Sequence, residues 1–130
     1  MLFVLLLSLV GCSKSESSAS TAQASEPKPS APKPAKDPAS ARKLIADGAF
    51  VLDVRTPDEY AAGHLANAAN VPIQEFAQRM AEVEKLAGVD KARPVVVYCA
   101  AGRRATKAKQ QLEAAGYTNV VNGGGFDDLR

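Results

Sequence analysis

Cys99 is followed by Ala100, Ala101 and Gly102 and then by Arg103 and Arg104, and this string stands directly after the apolar run 94–98. The thiolate is the nucleophilic form of cysteine, and it is favoured beside arginines and at the N-terminus of a helix. Where a chain turns from such a run into a helix, backbone N–H groups with no helical partner point into the loop and form an anion site. The small residues let the loop curl around the sulfur without filling the space above it. The pattern suits nucleophilic attack by Cys99, with Ala100, Ala101, Gly102, Arg103 and Arg104 holding an anionic substrate. The same cradle would hold a persulfide anion after a sulfur atom has moved. A buried, inert cysteine is the blander reading, and the Gly-Arg-Arg context argues against it.

Other residue types that could do chemistry read as support. Asp53, Arg55 and Glu59 stand at a strand end and in the first turn of a helix, which suits a structural ion pair bracing the loop beside the site. His64, the only histidine, follows Gly63 and reads as a hydrogen-bonding turn residue, because a thiolate needs no general base. Lys107, one turn into the helix after the cysteine loop, reads as a solvated face. No metal-ligand cluster or nucleotide-binding loop is legible, so neither metal nor cofactor is expected.

Positioning such a loop takes a strand before it and a helix after it, and the chain supplies both repeatedly. Asp37 and Pro38 form an N-cap followed by proline at the first helical position, with Ala41, Leu44 and Ile45 on one face up to Gly48. Residues 50–54 are a short β-branched run and read as a buried strand. Thr56, Pro57 and Glu59 have the form of a capping box, which starts a short helix through Tyr60 to Ala62. Residues 70–73 read as a brief extended segment. From Gln74 the positions Phe76, Met80, Val83 and Leu86/Ala87 repeat at helical spacing up to Gly88. Residues 94–98 read as a strand covered on both faces, and Ala105, Ala108, Leu112 and Ala115 give the helix behind Cys99. Val120 and Val121 make a last strand before a turn at Gly123, Gly124 and Gly125. Alternating strands and helices imply a single α/β domain over 38–130, with a central parallel sheet and helices on both faces. Ligands bind outside the carboxyl ends of the strands in that architecture, where Cys99 stands.

Asp53-Val54-Arg55, Glu59-Tyr60, Gly63-His64-Leu65, Ala68 and Asn70-Val71-Pro72 resemble the first signature region of the rhodanese family. Val97-Tyr98-Cys99 with Gly102 and Arg104 resembles its active-site loop, and Gly116-Tyr117 with Gly123-Gly124 its closing signature. The resemblance implies a rhodanese-like domain and ping-pong sulfur transfer. A donor such as thiosulfate would leave its sulfane sulfur on Cys99, and cyanide, a thiol or a protein acceptor would remove it. Arg104 and Arg103 would hold the small sulfur-containing anion. In cysteine phosphatases and arsenate reductases the arginine stands one position later, where this chain has Ala105, so the tighter loop favours sulfur over phosphate. A module that binds sulfur species or a partner without turnover is the other reading.

Residues 2–10 form an apolar run broken only by Ser8, too short to span a bilayer and suited to an export signal, although no Lys or Arg precedes it. The run ends in Leu9-Val10-Gly11-Cys12, which resembles the lipobox of bacterial lipoproteins. The expected organisation is therefore a signal over 1–11, lipid on Cys12, and a Pro/Ser/Ala-rich tether over 12–37 that cannot bury enough surface to order itself. That implies a periplasm-facing lipoprotein of the bacterial cell envelope, in the inner or the outer membrane. A disulfide between Cys12 and Cys99, the two cysteines of the 130-residue chain, would join a tether to a strand end and is not expected. The formal net charge of +2 arises from interspersed signs and there is no tryptophan, so no nucleic-acid partner is indicated.

Overall fold

The computed structural model describes residues 36–130. The expected signal, the lipidation site Cys12 and all but the last two residues of the expected tether lie outside the described residues. The carboxylate of Asp37 accepts the Ser40 N–H at 3.0 Å and Pro38 takes the first helical position, so α1 runs Pro38–Ala46. The strand β1, Phe50–Asp53, is followed by a complete capping box between Thr56 and Glu59 that starts α2, Pro57–Ala62. The remaining elements are β2 (Ala68–Asn70), α3 (Met80–Ala87), β3 (Val95–Cys99), α4 (Arg103–Ala114), β4 (Val120–Gly125) and α5 (Phe126–Leu129).

The four strands are parallel in the order β2-β1-β3-β4. Alternation along β3 divides the core in two. Val95, Val97 and Cys99 point toward Val83 of α3 and Ala105, Ala108 and Leu112 of α4. Val96 and Tyr98 point the other way, into a cluster with Ala41 of α1, Tyr60 of α2 and Leu129 of α5. Every residue of β3 is buried, which is why the strand reads as a continuous apolar run rather than an alternating one. Each of its valines contributes on the order of 1.5–3 kcal/mol by leaving water.

Three expectations are corrected. The helix placed from Gln74 begins only at Met80. Before it, Glu75 N–H donates to the Pro72 carbonyl at 3.0 Å and Phe76 N–H to that of Ile73 at 3.4 Å, forming successive tight turns. Those turns drop Phe76 fully into the core, so its spacing to Met80 and Val83 is kept without a continuous helix. The segment read as extended over 70–73 pairs earlier, at Ala68–Asn70. Finally, the three glycines are not a turn after β4 but its second half, and α5 follows them directly.

The glycine half of β4 is shaped by close approach. The pairing of β3 with β4 shifts register between Val97 and Tyr98, which face Asn122 and Gly124 and leave Gly123 as the extra residue of a bulge. A Cβ on Gly123 would meet Leu129 Cδ1 at 2.8 Å, and one on Gly125 would meet the carbonyl oxygen of Ala100 at 2.4 Å. The second clash is with backbone, so no side chain can move to relieve it. Gly125→Ala is therefore expected to cost about 1–3 kcal/mol, seen as a lower urea midpoint at unchanged slope. A midpoint equal to wild type would show that the loop carrying Ala100 yields freely.

Candidate active site

The strand order reverses between β1 and β3. From β1 the chain passes to α2 on one face of the sheet, and from β3 to α4 on the other. A crevice opens outside the carboxyl ends of strands at such a reversal. Cys99, the last residue of β3, is only 1% exposed. Its Sγ accepts the Gly102 N–H at 3.0 Å. Gly102 is the N-cap of α4 with φ of 91°, a left-handed conformation that a side chain would strain, and it is buried beneath the loop. A Cβ there would also stand 3.2 Å from Gly124 Cα.

The loop is pinned from β4 by Asn122, a residue that sequence reasoning passed over as a strand end. Its buried amide donates to the Gly102 carbonyl and to Thr106 Oγ1, each at 2.9 Å, and its Oδ1 accepts the Gly124 N–H at 2.9 Å. Thr106 in turn donates to the Gly102 carbonyl at 3.0 Å. The available signal was an amide at the end of an otherwise apolar run, since a buried polar side chain must find partners.

Cys99, Ala100, Ala101, Arg103, Arg104 and Lys107 line one open depression. Of the expected loop residues, Gly102 alone does not line it. Lys107, read as a solvated face, is exposed and stands on the rim. Arg104 is not a free fork: its Nη1 and Nη2 donate to Glu59 Oε2 and Oε1 at 2.7 and 2.9 Å. The pair spans the crevice from the first turn of α2 to the first turn of α4. Glu59 Oε2 also accepts the Thr56 N–H at 3.0 Å. The Arg104 hydrogen bonds, followed by that of Thr56, hold the Glu59 carboxyl far below the usual range, at about 2. Arg104 is raised, first by Glu59 and also by Cys99.

Asp53 and Arg55 pair with each other, not with Glu59. Arg55 Nη2 donates to Asp53 Oδ2 at 2.7 Å and to the Gly63 carbonyl at 2.6 Å, and its guanidinium lies 4.6 Å from the Phe126 ring centre. Both side chains are buried, and Asp53 holds the Arg55 guanidinium further toward its charged form. The pair fixes the segment that leaves β1 on the way to the site. His64 stacks on Tyr60 with ring centres 3.7 Å apart, and its Nδ1 is 2.9 Å from the Tyr60 carbonyl, away from the depression. Among the described residues no cluster of His, Cys, Asp or Glu could hold a metal, and no helix is long and apolar enough to cross a membrane.

Residues 37–129 match the family model of the rhodanese-like domain. The chain is 42% identical over 78 residues to "Thiosulfate sulfurtransferase PspE" of Escherichia coli, covering 60% of this chain and 71% of that one. It is 35% identical over 104 residues to "Thiosulfate sulfurtransferase 18" of Arabidopsis thaliana, covering 69% and 73%. Among solved structures it is similar to "rhodanese with anions from E. coli", with a TM-score of 0.54 at 40% identity over 62% of this chain and 89% of that one.

The low position of the Glu59 carboxyl has a sign that can be followed with pH. A carboxylate depressed in the folded state stabilises it above its ordinary value of 4.5, and that contribution is lost as pH falls toward about 2. The stability gap between wild type and Glu59→Gln is therefore expected to be widest above pH ~4.5 and to close on acidification. Urea titrations near pH 6 and pH 3 check it, and an equal gap at both would remove the ion pair as the source.

Proposed function

The chain belongs to the rhodanese-like domain family, and we propose on that footing that it is a sulfurtransferase that carries sulfane sulfur as a persulfide on Cys99. What carries the reading is the buried Sγ at the floor of a depression rimmed by Arg103, Arg104 and Lys107, with a backbone N–H directed at the sulfur. The Cys99 thiolate attacks the outer sulfur of thiosulfate. An S–S bond forms to Sγ, the S–S bond of thiosulfate breaks, and its electron pair leaves with sulfite. The Gly102 N–H and the positive end of α4 then face a persulfide anion instead of a thiolate. Cyanide or a thiolate attacks the outer sulfur, and the electron pair of the breaking bond returns to Cys99. No net oxidation occurs and no cofactor is needed.

Arg103 and Arg104 differ in this scheme. Arg104 is held bidentately by Glu59, so its charge toward the substrate is largely answered, whereas Arg103 is exposed on the rim. A free planar fork for a tetrahedral oxyanion, which phosphoryl transfer favours, is not what Arg104 offers.

The purified full chain incubated with thiosulfate is expected to gain the mass of one sulfur atom, to lose it to cyanide, and to form thiocyanate with turnover. Cys99→Ser should do none of these. A wild-type chain that gains no mass would leave a binding module without turnover.

The same proposal takes Cys12 as a lipid anchor and 12–37 as the tether of an envelope protein, on the sequence alone. Metabolically supplied labelled palmitate is expected in the wild type expressed in a bacterium and absent from Cys12→Ser. Equal labelling of both would remove the anchor.

A further inference from the structure

We propose that Arg103 and Lys107 form an outer anion subsite that selects the sulfur acceptor, a thiol carrying a carboxylate several bonds from its sulfur; this rests on the persulfide reading above. The argument begins with where charge has been answered and where it has not. The first turn of α4 holds no acidic residue and no side-chain cap, and instead carries Arg103 and Arg104 at the positive end of the helix dipole. Arg104 has Glu59. Arg103 and Lys107 have neither a hydrogen bond nor an ion pair among the described residues. They stand four apart on the helix, where like charges repel. Lys109 on the same helix pairs with Glu113 at that spacing, while the corresponding neighbour of Lys107 is Gln111. Both unanswered cations line the depression above Cys99.

The geometry of the second half-reaction says which substrate meets them. The sulfane sulfur sits about 2 Å beyond Sγ, so an acceptor sulfur attacking it lies farther out, above the small residues of the loop. Whatever is attached to that sulfur then extends over the exposed rim. Lys107 lies about 6 Å along the helix axis from Arg103 at 1.5 Å per residue, a reach that suits a chain ending in an anion better than compact thiosulfate. In the transfer, the acceptor thiolate forms a bond to the outer sulfur, the bond from that sulfur to Sγ breaks, and its electron pair returns to Cys99. The product is a persulfide on the acceptor, and no further reactant enters.

The test separates donor from acceptor and charge from shape. The full chain is loaded with thiosulfate, the persulfide is confirmed by mass, and excess donor is removed. Discharge is then timed with 6-mercaptohexanoate and with 6-mercaptohexanol, which differ only in the terminal carboxylate. Lys107→Glu and the charge-neutral Lys107→Gln are expected to slow discharge by the carboxylate thiol, the first about tenfold or more and the second less, and that by the alcohol less than threefold. Raising the salt should erase the wild-type preference for the carboxylate. Equal slowing of both thiols, or slowing of thiosulfate loading as large as that of discharge, would overturn the subsite. No mass gain in the first step would overturn the persulfide reading itself, and that is seen before any thiol is added.

Discussion

Backbone meets backbone where β4 passes the loop behind Cys99, and the rest of the site is set by that contact. Gly125 leaves no room for a Cβ against the Ala100 carbonyl, and a Cβ on Gly102 would stand 3.2 Å from Gly124 Cα. Glycine segments lose more conformational freedom on folding than any other, so a strand ending in three of them needs compensation. It comes from hydrogen bonds. Asn122 ties Gly124 to Gly102 and Thr106, and Asp128 accepts the Gly125 N–H at 2.9 Å and the Lys36 ammonium at 3.1 Å. With the loop held on that side, Gly102 can take its left-handed conformation, turn its N–H to the sulfur and start α4 in one step.

What could be read in the sequence was whatever is decided over a few residues. The cap at Asp37-Pro38 and the box at Thr56-Glu59 are complete within four positions, and both stand as read. The β-branched run before Cys99 announces a strand buried on both faces, and the alternation of elements carries the α/β order. Phe76 escaped because a tight turn and a helix both bring residues three or four apart to one side, and periodicity cannot separate them. The glycine half of β4 escaped because three glycines ordinarily mean a turn. Only their pairing with Tyr98 and Cys99 and the close approach of Ala100, all distant in the chain, make them a strand.

The charge pattern shows the same limit. Asp53, Arg55 and Glu59 stand close together in sequence, and any pairing among them is locally reasonable. The fold instead gives Glu59 to Arg104, 45 residues away, because the reversal between β1 and β3 sets the first turns of α2 and α4 across one crevice. That leaves Asp53 to Arg55. The buried pair carries a desolvation cost, met here by fork geometry, by the Gly63 carbonyl and by the Phe126 ring.

These two pairings divide the positive groups around the sulfur into two kinds. The Gly102 N–H, the start of α4 and the braced Arg104 are fixed and partly or wholly shielded, so they act on the sulfur at short range and respond weakly to salt. Arg103 and Lys107 are exposed, and their field is screened within about 8–10 Å at ordinary ionic strength. In the proposed cycle the fixed set would therefore act on the sulfur itself, and the exposed set on what arrives above it. A persulfide needs both. It must be held as an anion without being locked in place, and a loop whose strongest fork is already occupied by Glu59 meets that condition. The Gly102 N–H donates directly to Sγ. Arg104, whose charged form Cys99 also favours, has both ends of its fork turned to Glu59, so in the proposed cycle the outer sulfur would meet no free guanidinium fork and would stay open to attack.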